Sequence, residues 1–455
     1  MDWYRVTAGT LAEAIRKGEI TVEEAVRASL ERIQQVDDKV QAWAFLDPEY
    51  ALDQARRADR LLLDGQGIGP LHGVAVGVKD IFDTADMPTE YGTILHAGRR
   101  PTEDATVVAL LRQAGAIVLG KTVTTELAVY GPGKTRNPHD PGRTPGGSSS
   151  GSAAAVAAEM IPLALGTQTN GSVIRPASYC GVVGYKPTYA TISRRGAIKQ
   201  SPPLDQVGVF ARNVADAALL GRALMHFDDG DPAMRPAAQP DLVRAAAAEP
   251  PLVPRFAFVK MPVWDQAAED TRHAFAELCE RLGPHVREIT LPPVFDKAVE
   301  WHRTIMEADL AKNFALEYAR GNVQLSSILR QMIERGKRVT AVEYNSALEQ
   351  IPILNSRLAE IFTTFDVILT PATMSVAPLG LESTGSPIFC TIWSLCGAPA
   401  ITLPILRGSG GMPMGAQLVA ERGADARLLR SARWLERWAA DIGVKTSGTE
   451  DPALI

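Results

Sequence analysis

The sequence predicts an α/β protein with a largely buried sheet, and three observations predict it. Short β-branched runs bounded by glycine alternate with amphipathic helical stretches along much of the chain. The strand runs are apolar almost throughout, as expected of strands covered on both faces. The 455 residues are 46% hydrophobic and 22% charged, enough to build a large core.

The first 65 residues read as helices. In "TLAEAIRKGEITVEEAVRASLERIQQV" apolar side chains recur at three- and four-residue steps, with Thr21 as N-cap and Glu24 closing a capping box. "HGVAVGVKD" (72–80) changes period and suits a buried strand. A helix ("ATVVALLRQAG"), a strand ("AIVLG") and a helix ("SAAAVAAEM") follow, the last running into "IPLALGTQT". Residues 228–254 turn to Pro, Ala and Asp, the composition of an internal loop or subdomain boundary. Beyond them come a strand ("RFAFVK"), a helix over about 264–282, and long helices through 363, so 228–365 reads as a mostly helical insertion. "FDVILTPA" and "APAITLPI" read as returning strands and "ADARLLRSARWLERWAADI" as a closing helix. There is no internal repeat, and the whole of 1–455 is expected to form one domain.

Composition narrows the function. A net charge of −5 argues against general attraction to nucleic acid or an anionic membrane. The start "MDWYRVTAGTLAEAI" lacks the basic and apolar regions of a signal peptide, and Glu159 and Pro162 interrupt the most apolar stretch. A cytoplasmic protein without membrane spans is expected. Cys180, Cys279, Cys390 and Cys396 match no C-x-x-C pair and read as free thiols. The seven histidines show no metal-binding spacing, so no metal or cofactor is expected.

Four motifs carry chemistry on paper. "GAIVLGKT" (115–122) fits the phosphate-loop pattern, but its middle residues are themselves a strand, so the glycines bracket a strand rather than form a cradle. "AVYGPGKT" (128–135) has loop character, but Pro132 lacks an N–H the cradle needs. "GSSSG" (147–151) fits the nucleophile elbow, with Ser149 as nucleophile and His226, His273, His285 or His302 as base. An elbow follows a buried strand directly, whereas "KTRNPHDPGRTP" holds three prolines. The fourth is a serine–lysine set. "GGSSSGS" and "GTQTNGSVIRPA" are two glycine-rich loops in the same α/β region, and Lys79 ends an apolar strand where desolvation lowers an amine's pKa. Each feature alone reads as a turn or a surface charge; together, with no histidine beside them, they suggest an active site.

The stretch "GGSSSGSAAAVAAEMIPLALGTQTNGSVIRPASYCGVVGYKPT" closely resembles the signature of the amidase signature family of serine hydrolases. The resemblance extends from "GVAVGVKDIFDTADMPTEYGT" through "SPPLDQVGVFARNVADAALL" to "CGAPAITLPI". It implies a large mixed central β-sheet flanked by helices. It also implies a Ser–cis-Ser–Lys triad: Lys79 as base, Ser148 as bridge after a cis Gly147–Ser148 peptide, and Ser172 as nucleophile. The backbone of Thr169, Asn170, Gly171 and Ser172 is then the oxyanion hole. Ser150, Gln168, Asn170 and Arg175 depart from the usual pattern. Arg175 is read as structural, with attraction of a substrate carboxylate as the other reading. Tyr130, Leu127, Ile392 and Trp393 fall in stretches that line the family's acyl pocket.

Two functions fit such a chain. The favoured expectation is a free-standing amidase acting on small amides, with esters and carbamates (urethanes) as further candidates. It would work as a monomer or homodimer, with no nucleic-acid partner. The alternative is the amidotransferase subunit that supplies ammonia for transamidation of tRNA-bound glutamate. Against it, "TGSPIFCTIWSLCGAPA" has no acidic residue where such a subunit would grip the amino group of free glutamine.

Overall fold

A computed structural model describes residues 2–66 and 69–443. Eleven strands form one mixed sheet: β1 (Trp43–Leu46), β2 (Ala75–Lys79), β3 (Ile117–Thr122), β4 (Leu163–Gln168), β5 (Val183–Lys186), β6 (Gln206–Ala211), β7 (Phe256–Val259), β8 (Val286–Ile289), β9 (Val367–Pro371), β10 (Ala400–Arg407) and β11 (Pro413–Val419). Their order across the sheet is β1-β3-β2-β4-β6-β5-β10-β11-β9-β7-β8. Helices cover both faces, and the central strands are buried along nearly their whole length. This is the large mixed sheet that the family resemblance implied.

Two parallel pairings matter for the site. β2 lies between β3 and β4, parallel to both, with Val78 opposite Lys121 on one side and Leu165 on the other. The carboxyl ends of β2 and β4 therefore open at the same edge of the sheet, where ligands of α/β folds bind. The loop after β4 feeds the helix Ile174–Cys180.

The N-terminal segment is helical at Ala8–Lys17, Val22–Val40 and Pro48–Leu63, and the Thr21–Glu24 capping box forms. Between the last two lies β1, in a stretch whose sequence reads as helix. It has only four residues and pairs antiparallel with β3 at one sheet edge. β8 closes the other edge, inside the segment read as mostly helical, and leaves Arg287 and Glu288 facing solvent. Short, charged edges hinder pairing with other chains, and they also erase the apolar pattern of a strand. β5, β6 and β11 were likewise unanticipated. Glycine interrupts each of these runs, and tertiary pairing rather than periodicity makes them strands. Among the described residues no helix is long and apolar enough to cross a membrane.

Candidate active site

Among the described residues three lysines are completely buried: Lys79, Lys121 and Lys186. Their surroundings separate them. Lys121, the lysine of the first phosphate-loop match, lies inside β3, 3.2 Å from Asp80. It donates to the carbonyls of Phe82 and Pro88 and to the Thr89 hydroxyl. Its ammonium is occupied by the fold and no cradle surrounds it. Lys186 donates to Gln206 Oε1 and the Ala398 carbonyl, and burial pushes it down to about 7. Lys79 has neither a carbonyl acceptor nor a carboxylate within ion-pair distance among the described residues. Its Nζ lies 2.7 Å from Ser148 Oγ and 2.9 Å from Thr167 Oγ1. Burial pushes Lys79 well below its ordinary value, and the charge of Asp205 pulls it back up. An amine so placed sheds its proton readily and can accept one from a hydroxyl.

Ser148 follows a cis Gly147–Ser148 peptide, and its carbonyl accepts from the Thr125 N–H. A side chain on Gly147 would come within 2.8 Å of Thr384 and 2.9 Å of Thr125, so the loop admits only glycine there. Arg175, fully buried, donates to the carbonyl of Gly147 at 2.6 Å and to that of Gly385. Its guanidinium ties the serine loop to the segment before the helix Ile388–Leu395, which fits the structural reading. Ser149, the elbow nucleophile, is completely buried against the backbone of Thr167. It follows no strand.

The loop after β4 is held from all sides. Gln168 Oε1 accepts from the N–H groups of Val173 and Ile174, which caps the helix start and accounts for glutamine at this position. Thr169 donates to Asp205 at 2.6 Å, and His302 Nε2 lies 3.0 Å from the Thr169 carbonyl. Asn170 donates to Tyr130 Oη at 3.0 Å, accepts from Thr391 at 2.7 Å, and its carbonyl accepts from Ser394. A Cβ on Gly171 would meet Pro387 at 2.7 Å. Among the described hydrogen bonds, the N–H groups of Asn170, Gly171 and Ser172 have no acceptor. Fixed, unsatisfied donors beside a nearly buried serine (8% exposed) are the arrangement an oxyanion hole requires.

A cavity of about 240 Å³ adjoins this loop, walled by Tyr130, Asn170, His302, Glu307, Ile388 and Thr391 among others. A second, of about 250 Å³, reaches the loop at Thr169, beside Thr167 of β4 and Asp205 just before β6. Of the substrate-contacting residues expected from sequence, Tyr130 lines the first cavity and Arg175 lines neither. Leu127, Ile392 and Trp393 line neither as well; all three are completely buried in the core. A helix turns about 100° per residue, so Trp393 rotates away from the face that Ile388 and Thr391 present, whereas Ile392, one turn after Ile388, is covered by core packing. His302, which the sequence offered only as a base for the elbow reading, also lines the cavity; Arg303, Glu307 and Arg335 line it without any signal in the sequence, because they come from distant helices, Ala298–Asn313 and Ser327–Gly336.

Burial pushes His302 down to about 4, so at neutral pH it is uncharged and donates through Nε2 to Thr169. Replacing it with phenylalanine strands a buried carbonyl at the oxyanion loop. The expected result is about 1–3 kcal/mol less stability in denaturant melts together with a lower kcat. His302→Gln, which keeps a donor, should recover part of both.

The Amidase family model matches residues 24–429. The chain belongs to the Amidase family. This amidase-family chain is 36% identical to a glutamyl-tRNA(Gln) amidotransferase subunit (the A type) of Acidothermus cellulolyticus, over 96% of this chain and 94% of that protein. It is 33% identical to the protein of the same name from Thermobifida fusca, with 97% and 98% covered. Among solved structures it resembles the native peptide amidase of Stenotrophomonas maltophilia (28% identity, TM-score 0.82, covering 96% and 97%). It also resembles a 6-aminohexanoate cyclic dimer hydrolase (27%, TM-score 0.85, covering 99% and 100%).

These relatives correct the functional expectation drawn from sequence. A free-standing small-molecule amidase without nucleic-acid or protein partners was favoured. The curated relatives matched over nearly the full length are instead named as one subunit of a glutamyl-tRNA(Gln) amidotransferase. Net charge and one missing acidic residue were too local a guide. Overall charge says nothing about what a neighbouring subunit holds, and the cavity draws a carboxylate, Glu307, from another part of the chain.

Proposed function

We propose that this chain works as the amide-cleaving subunit of a glutamyl-tRNA(Gln) amidotransferase, releasing ammonia from an amide through an acyl-enzyme on Ser172. The observation that carries the reading is the full-length similarity to proteins of that name. The site geometry supplies a chemistry that suits it.

In this mechanism neutral Lys79 takes the proton of Ser148, and Ser148 takes that of Ser172 as its oxygen attacks the amide carbon. The N–H groups around Gly171 receive the oxyanion, and one such donor is worth roughly 3–4 kcal/mol. When the tetrahedral adduct collapses, the C–N bond breaks and the nitrogen leaves as ammonia, carrying the relayed proton. Water then hydrolyses the ester to free the acid and Ser172. The ammonia is consumed at the glutamyl carboxyl group of the charged tRNA, where it displaces phosphate after a partner subunit has phosphorylated that carboxyl group with a nucleoside triphosphate.

The test uses the chain alone and reconstituted with the other amidotransferase subunits of its own genome. With a nucleoside triphosphate present, glutaminyl-tRNA(Gln) should form from glutamyl-tRNA(Gln) and glutamine only in the reconstituted sample, and not with Ser172→Ala. Absence of product from a correctly assembled complex overturns the proposal.

A further inference from the structure

The N–H groups of the oxyanion loop are aimed through its carbonyls. Among the described residues the one cis peptide is Gly147–Ser148, so every bond of this loop is trans. In a trans peptide the C=O and the following N–H point opposite ways, and a donor that fixes the carbonyl also fixes the N–H. His302 holds the Thr169 carbonyl, which sets the Asn170 N–H. The Asn170 carbonyl, which sets the Gly171 N–H, accepts from Ser394 Oγ. Ser394 is completely buried on the helix Ile388–Leu395, one turn after Thr391, which grips the Asn170 side chain at 2.7 Å.

A serine hydroxyl has one hydrogen to donate and rotates to suit its surroundings. At Ser394 the rotation is dictated from behind by Gln168, also completely buried. Gln168 Nε2 donates to Ser394 Oγ at 2.9 Å, while Gln168 Oε1 accepts from the N–H groups of Val173 and Ile174 at 2.9 and 3.0 Å. Turning the amide over would press its NH₂ group against two N–H donors, so only one orientation satisfies the site. Ser394 therefore accepts from Gln168 and keeps its own hydrogen for the Asn170 carbonyl. Capping the helix start needs only an acceptor, and a carboxylate supplies one equally well. A carboxylate at 168 would also draw the Ser394 hydrogen to itself and release the Asn170 carbonyl. The donating half of the amide is what this position requires of glutamine.

We infer that Gln168 and Ser394 are positioning residues, a hydrogen-bond chain of fixed direction that aims the Gly171 N–H at the oxyanion formed when Ser172 attacks. Neither side chain lines the cavities beside the loop, so both act through the backbone. The inference rests on the acyl-enzyme reading proposed above and adds the residues that preorganise its oxyanion hole.

The test follows the rate at which a fluorophosphonate labels Ser172, because its phosphoryl oxygen enters the same hole whichever amide is the substrate. Ser394→Ala and Gln168→Glu should each slow labelling by about tenfold to a hundredfold, less than the roughly 10²–10³ lost when such a donor is removed outright. Gln168→Glu keeps the cap and the size of the side chain, so it should melt like the parent, and it decides the matter if Ser394→Ala misfolds. The double variant should label within about threefold of Ser394→Ala, since the two residues act as one chain. In glutamine hydrolysis by the assembled complex, kcat should fall with the labelling rate while KM stays within about threefold, the split expected of an interaction made only in the transition state. Gln168→Glu labelling at the parent's rate, penalties that multiply in the double variant, or a loss carried by KM alone overturns the inference. A parent that takes no label on Ser172 overturns the acyl-enzyme reading, and this inference with it. A parent labelled there that never supports transamidation overturns only the proposed place in a transamidation complex.

Discussion

Ser172→Ala should abolish amide cleavage, lowering kcat by roughly 10⁴–10⁶, the range seen when a nucleophile acting in a coupled relay is removed. The serine is 8% exposed, follows donors with no other acceptor, and begins the turn into the helix Ile174–Cys180. A fluorophosphonate should label one peptide, the one containing Ser172. Ser148→Ala should leave more activity than Ser172→Ala, since a water in the vacated space can relay a proton to Lys79. Ser149 is the control. It is completely buried against Thr167, so label recovered on Ser149 would defeat the assignment.

Lys79→Arg should be nearly as inactive as Lys79→Ala, although it keeps the charge. The guanidinium does not deprotonate in proteins, and the role requires an amine that does. Activity retained above about a tenth of wild-type kcat, a loss under roughly 1.4 kcal/mol, would show that Lys79 is not the base. The pH profile supplies an independent check. Burial lowers the Lys79 pKa and the Asp205 charge raises it, so activity climbs with pH as the ammonium loses its proton and levels off once the amine is neutral. Asp205→Asn removes the opposing charge, and the rising limb should move to lower pH. That variant also weakens the contact with Thr169, so a fall in the kcat plateau is expected beside the shift. A limb that moves to higher pH contradicts this account of Lys79.

The candidate site was legible chiefly through the family resemblance, with local chemistry in support. A lysine at the end of an apolar strand reads alone as a surface charge, and becomes a candidate base only where that end is desolvated. Two glycine-rich serine loops next to strand and helix signals resist any reading as linkers. Gly147 and Gly171 are glycine because threonine and proline side chains crowd them, and the sequence shows that demand as the smallest residue type at each turn of the motif. The helices with capping boxes and the apolar strands β2, β3 and β4 were visible for the same reason, since each has a local cause.

What only the tertiary structure decided lies where a residue's meaning depends on a partner far along the chain. Which of three buried lysines faces a serine is settled by the pairing of β2 with β4, a distance in sequence no periodicity encodes. Trp393 and Leu127 looked like pocket residues and are core, because helix rotation and packing, not position in a motif, set which side chain sees the cavity. Arg175 could have been read either way until its guanidinium was found on the carbonyls of Gly147 and Gly385. A carboxylate in the cavity wall, Glu307, stands 137 positions after Asn170, on a helix that the sequence marked only as part of an insertion. By itself the sequence named candidate reacting groups, Lys79, Ser148 and Ser172, because their motifs resemble a family signature; Lys79 and Ser148 stand 69 positions apart, and the fold brings them to 2.7 Å. The walls around them were decided by the fold, because any residue of suitable size and charge can fill a wall once packing brings it there.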